Sequence, residues 1–74
     1  MQLRGVLARN VRRLREKHGL SQEALADSAN IDRTYVSSIE RERYSTSIDL
    51  LERLAIALKV SPADLLTFEP PQAD

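Results

Sequence analysis

Apolar residues recur at steps of three and four near the start of the chain, at Leu3, Val6, Leu7, Val11 and Leu14. This spacing places them on one face of a helix over about residues 3–17. Gly19 is the expected stop after this helix, because glycine accepts the left-handed backbone that often follows a helix end. The first segment is therefore predicted to be an amphipathic helix.

Two short helices are predicted next. Ser21 precedes a segment with a short apolar face, which indicates a second helix that ends near residue 28 or 29. Asn30 follows, and asparagine is one of the few non-glycine residues that tolerate a positive φ. Asp32 is then the expected cap of a third helix, over about residues 33–41.

The third helix has a narrow apolar stripe, because Val36 and Ile39 are its only strongly apolar interior residues. Such a helix contacts its own protein along one edge and leaves the opposite face for a partner. At roughly 100° per residue, the residues that flank the stripe or face away from it are Arg33, Thr34, Ser37, Ser38 and Arg41.

A fourth helix is predicted after a loop at residues 42–46. Ser47 is its expected cap, and it extends over about residues 48–59. Its core stripe consists of Ile48, Leu51, Leu54, Ala55 and Leu58. Leu50 and Ile56 are apolar as well and are expected to lie beyond that stripe.

The segment Ser61-Pro62-Ala63-Asp64 combines a serine cap, a proline at the first helical position and an acid that completes a capping box. It predicts a short fifth helix that ends near Leu66. The chain is therefore interpreted as one all-α domain over residues 1–68, followed by a flexible tail over residues 69–74.

Composition narrows the choice of function. A chain of 74 residues without cysteine has neither disulfides nor thiolate metal sites, and its one histidine, His18, cannot hold a metal alone. The net charge is zero, but residues 1–43 hold nine Lys or Arg against six acids, and residues 44–74 hold two against five. Such a separation would orient the protein on a polyanion. The plainer alternative is a solvated surface of mixed charge.

No apolar run approaches the roughly 20 residues that a membrane span needs. The N-terminal residues also lack the apolar stretch of a secretory signal. These observations predict a cytoplasmic protein without a membrane partner. No Cys–His pair, metal cluster or glycine-rich phosphate loop supports catalysis, so we expect neither an enzyme nor a cofactor.

Five short segments follow one another in a characteristic order. They are Leu20-Ser21-Gln22-Glu23-x-Leu25-Ala26, Ile31-Asp32-Arg33-Thr34-Tyr35-Val36-Ser37, Ile39-Glu40-Arg41, Ser47-Ile48 through Leu54-Ala55-x-Ala57-Leu58, and Val60-Ser61-Pro62-x-Asp64-Leu65-Leu66. Together they resemble the phage-repressor and Cro type (XRE-like) of helix-turn-helix domain over about residues 5–66. The resemblance implies a compact, five-helix, lambda-repressor-like DNA-binding domain. The third-helix segment is most similar to the controller proteins of restriction–modification systems.

Three positions depart from the pattern of that family. Glu42 stands where glycine is usual, so the third helix is expected to end differently or to be longer. Thr46 replaces a common proline, which predicts a looser loop. Asn30 replaces another frequent glycine but suits the same backbone conformation.

The resemblance implies that the third helix lies in the major groove of double-stranded DNA, with its N-terminal residues at the base edges. Arg33 is the leading candidate to hold a guanine through two hydrogen bonds, or else to contact phosphate or solvent only. Thr34 and Ser37 are small enough to let the helix approach the bases and to contact them. The residues expected at the phosphates are Gln22, Tyr35, Ser38, Arg41 and Arg43, and the resemblance implies that Gln22 sometimes also braces the third helix. Tyr35 is alternatively a half-buried packing residue.

The resemblance also implies an ion pair between Arg15 and Glu40 that sets the angle of the third helix. A homodimer is expected, because domains of this type match two half-sites on a palindromic operator. Leu50, Leu66 and Phe68 are the candidate interface, although Phe68 could fold back onto its own core. The implied function is transcription regulation, and the alternative is an antitoxin-like or adaptor module that binds a protein.

Overall fold

The computed structural model of the chain describes residues 2–68, and within them the fold consists of helices without strands. The five helices are α1 (Leu3–Lys17), α2 (Gln22–Ala29), α3 (Arg33–Glu40), α4 (Ile48–Leu58) and α5 (Pro62–Leu65). The predicted all-α, five-helix class is confirmed. The predicted tail, residues 69–74, and Met1 lie outside the described residues. No helix in the described part is long and apolar enough to cross a membrane.

A polar side chain caps the N-terminus of each of the last four helices, as the sequence predicts. The Ser21 hydroxyl accepts a hydrogen bond from the backbone N–H of Ala24, and Ser47 accepts one from Leu50. Ser61 and Asp64 form a reciprocal capping box at the start of α5. Each bond satisfies a backbone N–H that has no partner within its helix, which fixes where the helix begins.

A residue with a left-handed backbone follows each of the first three helices. Gly19 has a φ of 69° after α1, and Asn30 has a φ of 58° after α2. Glu42 adopts the same conformation, with a φ of 61°, although it has a side chain. The N–H groups of Glu42 and Arg43 donate to the carbonyls of Ile39 and Ser38, a Schellman arrangement. The third helix therefore ends as a glycine-terminated helix would, and the expectation of a longer helix is wrong.

The core lies where α1, α2, α3 and α4 meet, and Leu65 closes it from α5. Leu25, Val36, Leu54 and Leu65 are fully buried. The expectation that Leu50 lies beyond the core stripe of α4 is wrong, since it is only 9% exposed and joins this cluster. Leu50 precedes Leu54 by four residues, so both share one helix face.

One buried polar residue connects the C-terminal segment to α1. Asn10 is 3% exposed, and its Nδ2 donates to the carbonyls of Leu65 and Thr67, each at 2.9 Å. Phe68 follows and borders a small cleft on α1, where the guanidinium of Arg9 lies 6.0 Å from the ring centroid. Phe68 folds back beside its own α1 and still remains 48% exposed.

Candidate nucleic-acid interface

The α3 helix, which we call the recognition helix, is attached to the core by one edge. Val36 and Ile39 anchor this edge in the core, where their side chains are 0% and 1% exposed. Arg33 and Thr34 are exposed on the first turn, while Ser37 is partly buried. The expected base-contacting residues therefore lie along the N-terminal half of the helix, and the first two are open to a partner.

The cap of the recognition helix also sets the chemistry of Thr34. Its backbone N–H and its hydroxyl both donate to Oδ1 of Asp32, at 2.8 and 2.7 Å. The hydroxyl bond and then the backbone bond hold the pKa of Asp32 below its ordinary value. Because the hydroxyl hydrogen is engaged, Thr34 offers a partner its oxygen lone pairs and its methyl group.

Three exposed arginines surround the recognition helix. Arg33 is its first residue, Arg41 follows its last residue, and Arg43 lies two positions further in the loop. At about 1.5 Å per residue, Arg33 and Arg41 are separated by roughly 12 Å along the helix axis. The two ends of the helix thus each present a guanidinium, the group best suited to phosphates and to guanine.

Tyr35 packs on another aromatic residue while it remains 43% exposed. Its ring centroid lies 5.3 Å from that of Tyr44, with the ring planes tilted by 47°. Tyr44 is partly buried against the core, so it packs between the core and the exposed ring of Tyr35. Sequence reasoning missed Tyr44, because its neighbour in space is nine positions away and lies on a different element.

A network of charged and amide groups fixes the recognition helix to α1 and α2. Nε of Arg15 lies 2.7 Å from Oε2 of Glu40, and Nη2 lies 3.1 Å from Oε1. Nη1 of Arg15 donates to the carbonyl of Leu20 at 2.8 Å. Hydrogen bonding to Glu40 raises the pKa of Arg15, against the opposing effect of burial. The structure thus brings together the two residues that the sequence paired.

Gln22 belongs to the same network. Its Nε2 donates to Oε1 of Glu40 at 3.1 Å, from the first residue of α2 to the last residue of α3. Through this bond the amide nitrogen of Gln22 braces the recognition helix, and the phosphate contact expected of Gln22 stays a prediction. Ser38, also expected at a phosphate, is partly buried, whereas Arg41 and Arg43 are exposed.

An apolar surface lies on a different part of the molecule. Leu3, Ile48 and Leu66 are 57%, 84% and 37% exposed, and they border a shallow groove of about 270 Å³. Leu66 was expected at an interface, and Phe68 lies two residues beyond it. Leu50 is in the core, and the exposed apolar residue at the start of α4 is Ile48, so the expectation that Ile48 belongs to the core stripe is wrong. We call Leu3, Ile48 and Leu66 the apolar patch.

Comparison with known proteins places this geometry in a family. The sequence profile described as helix-turn-helix matches residues 11–65, which contain the C-terminal half of α1 and all of α2 to α5. The chain belongs to the helix-turn-helix family. The resemblance that the sequence motifs indicate is thereby confirmed.

Relatives of the helix-turn-helix chain are transcription regulators. It is 47% identical over 70 residues to a hypothetical transcription factor of Neisseria meningitidis, covering 95% of this chain and 64% of that protein. It is 42% identical over 67 residues to the control protein C.BamHI of Bacillus amyloliquefaciens, covering 89% of this chain and 83% of the relative. The chain thus spans less than two thirds of the Neisseria protein.

A solved structure agrees with this assignment. The crystal structure of the restriction-modification controller protein C.AhdI of Aeromonas hydrophila superposes with a TM-score of 0.81 at 37% identity. The match covers 84% of this chain and 94% of that one. The helix-turn-helix fold of this chain therefore extends over nearly all of a controller protein.

Proposed function

We propose that this chain is a sequence-specific DNA-binding transcription regulator whose recognition helix lies in the major groove. The observation that carries the proposal is the exposed first turn of α3, where Arg33 and Thr34 face away from the core. The Arg15–Glu40 pair holds this helix at a fixed angle to α1. A rigid helix with an exposed arginine at its start suits the reading of base edges.

The same surface favours DNA over a protein partner. Arg33, Arg41 and Arg43 surround the helix, and Tyr35 is its one large exposed apolar or aromatic residue. An antitoxin-like or adaptor module would be expected to present apolar residues there, because the fully buried centre of a protein interface is more apolar than the rest of the surface. The proposed activity is DNA binding without a chemical step. It takes place in the cytoplasm, where a regulator meets DNA.

We further propose that the chain acts as a homodimer through the apolar patch, with Phe68 at its margin. A patch of Leu3, Ile48 and Leu66 that stays exposed in a small domain is typical of an interaction site. Two copies related by a two-fold axis would then present two recognition helices to successive turns of DNA. The similarity to C.BamHI and C.AhdI supports control of a restriction–modification system as the biological role.

Selection of binding sites from random double-stranded DNA tests this proposal. We expect enrichment of a palindromic sequence whose half-sites lie about 10 base pairs apart, centre to centre. Repeating the selection at a second salt concentration separates base reading from charge attraction. Recovery of unenriched DNA at both concentrations, with a folded protein, would contradict sequence-specific binding.

A further inference from the structure

The first turn of α1 contacts the loop that follows the recognition helix. We call residues 41–47 the α3–α4 loop. Arg4 donates from Nε and from Nη2 to the hydroxyl oxygen of Ser45, at 2.9 and 2.6 Å. One residue further along α1, a Cβ on Gly5 would lie only 3.2 Å from Oε1 of Glu42. The absence of a side chain at Gly5 therefore lets the Glu42 carboxylate lie against the helix.

The contact with Gly5 is made by Glu42, which stands where the family usually has glycine. Glu42 holds a left-handed backbone that glycine adopts without strain, so its conformation needs support from its surroundings. The next residue is Arg43, whose N–H completes the end of α3 by donating to Ser38 at 2.8 Å. Contacts on both sides of Arg43, at Glu42 and at Ser45, thus fix the backbone that carries its guanidinium.

We propose that the first turn of α1 is a positioning element for DNA binding, in which Arg4 and Gly5 hold the α3–α4 loop so that Arg43 meets a phosphate. The inference rests on the proposed DNA-binding function and adds a role for residues that lie outside the helix-turn-helix. Arg4 acts through Ser45, and the Glu42 carboxylate acts through its place against Gly5. The fixed loop lets Arg43 bind without first ordering its own backbone, which is the advantage of preorganisation.

The salt dependence of binding to random-sequence DNA tests the proposal. Each phosphate contact contributes about 0.9 to the slope of log affinity against log salt, which is about a 3.5-fold change in affinity between 50 and 200 mM salt. We expect Ser45→Ala to reduce the slope by about one contact per protomer, as Arg43→Ala does. The double variant is expected to match Arg43→Ala, because both changes remove the same contact.

Two controls separate positioning from general stability. Ser45→Thr keeps the hydroxyl oxygen that accepts from Arg4, so this variant should retain the wild-type slope. Ser61→Ala removes a cap hydroxyl at α5 instead, so it should lower the melting temperature and leave the slope unchanged. Gly5→Leu introduces a good helix former into α1 and fills the place of the Glu42 carboxylate, and it should reduce the slope as Ser45→Ala does.

The outcomes are distinct. A wild-type slope in both Ser45→Ala and Gly5→Leu, or effects of Ser45→Ala and Arg43→Ala that add, would overturn the positioning role while DNA binding stands. A wild-type protein that shows no salt-dependent binding to DNA would overturn the proposed function itself.

Discussion

Arg15 and Glu40 lie 25 positions apart in the chain, yet Nε of the arginine approaches Oε2 of the glutamate to 2.7 Å. Their side chains are only 12% and 4% exposed. Removing one partner would leave a mostly buried charge, which costs on the order of 3–5 kcal/mol. We therefore expect Arg15→Ala and Glu40→Ala each to lower the free energy of unfolding by about this amount, measured by denaturant titration.

The double replacement Arg15→Met with Glu40→Leu is the informative comparison. Buried ion pairs can often be exchanged for apolar residues at little cost, because both desolvation penalties disappear together. The double variant should thus be more stable than either single alanine variant. A double variant that is less stable than both single alanine variants would show that the two residues do not depend on each other.

The Asp32 cap makes the stability of the recognition helix depend on pH. Hydrogen bonds from Thr34 lower the pKa of Asp32 below its ordinary value of 3.8, so the carboxylate stabilises the folded state above about pH 4. This contribution is lost as the pH falls through the lowered pKa. We expect the melting temperature of Asp32→Asn, which keeps a capping oxygen, to fall less than that of the wild type between pH 5 and pH 2. Parallel curves for the two proteins would refute a role for the carboxylate charge.

Lys59 has a left-handed backbone that glycine would adopt without strain. It follows α4 with a φ of 61°. Lys59→Gly should raise the stability by about 0.5–1 kcal/mol, and each kcal/mol corresponds to about 4–8 °C in a domain of this size. Asn30→Gly is the matched control, because asparagine tolerates its φ of 58° and little change is expected. A lower melting temperature for Lys59→Gly would show that the lysine side chain matters more than the strain.

The proposed dimer depends on the apolar patch. Ile48 is 84% exposed and borders its groove, whereas Ile56, 70% exposed, lies two turns further along α4. Ile48→Lys should weaken self-association at least tenfold, because a two-fold interface loses the side chain on both protomers. Phe68→Ala should weaken it too, with helical content retained. Sedimentation at several concentrations measures both, and Ile56→Lys serves as the control.

A wild-type protein that stays monomeric at concentrations that saturate DNA would exclude the dimer. An equal loss of association in Ile48→Lys and Ile56→Lys would show instead that the interface extends along α4 and is not confined to the groove.

The helices could be predicted from the sequence because their beginnings are local. A cap such as Ser21 or Asp32 bonds to an N–H two or three residues away, so its spacing is visible in the chain. Leu50 and Ile48 were both misplaced, because the predicted stripe of α4 was centred too close to Ile48: Leu50 is buried and Ile48 is exposed. The exposed faces of α3 were also visible, since its stripe contains only Val36 and Ile39.

Contacts between distant segments could not be read in this way. Asn10 is an ordinary polar residue in the sequence, and its burial depends on carbonyls that lie more than 50 positions away. Glu42 looks like a helix-extending residue, and the sequence shows neither its left-handed backbone nor the place of its carboxylate beside Gly5. Arg15 and Glu40 were paired through family resemblance and not through any local pattern.

Arg33 provides the sharpest test of base reading. It is the first residue of the recognition helix and is exposed, which suits a guanidinium that holds a guanine through two hydrogen bonds. Arg33→Ala should cost about 1–3 kcal/mol per half-site on the preferred sequence and relax the preference at one base pair. Random-sequence binding should change far less. Arg43→Ala is the matched arginine control, and it should weaken all sequences alike.

An equal loss of specific and random-sequence binding in Arg33→Ala would make Arg33 a phosphate anchor. Base reading would then pass to Thr34 and Ser37. Because the hydroxyl of Thr34 already donates to Asp32, Thr34 would act as an acceptor or through its methyl group. The bases compatible with this role are a cytosine or adenine, which offer an amino hydrogen, or a thymine, which offers its own methyl group. The base preference that remains in Arg33→Ala therefore identifies which side chain reads the neighbouring position.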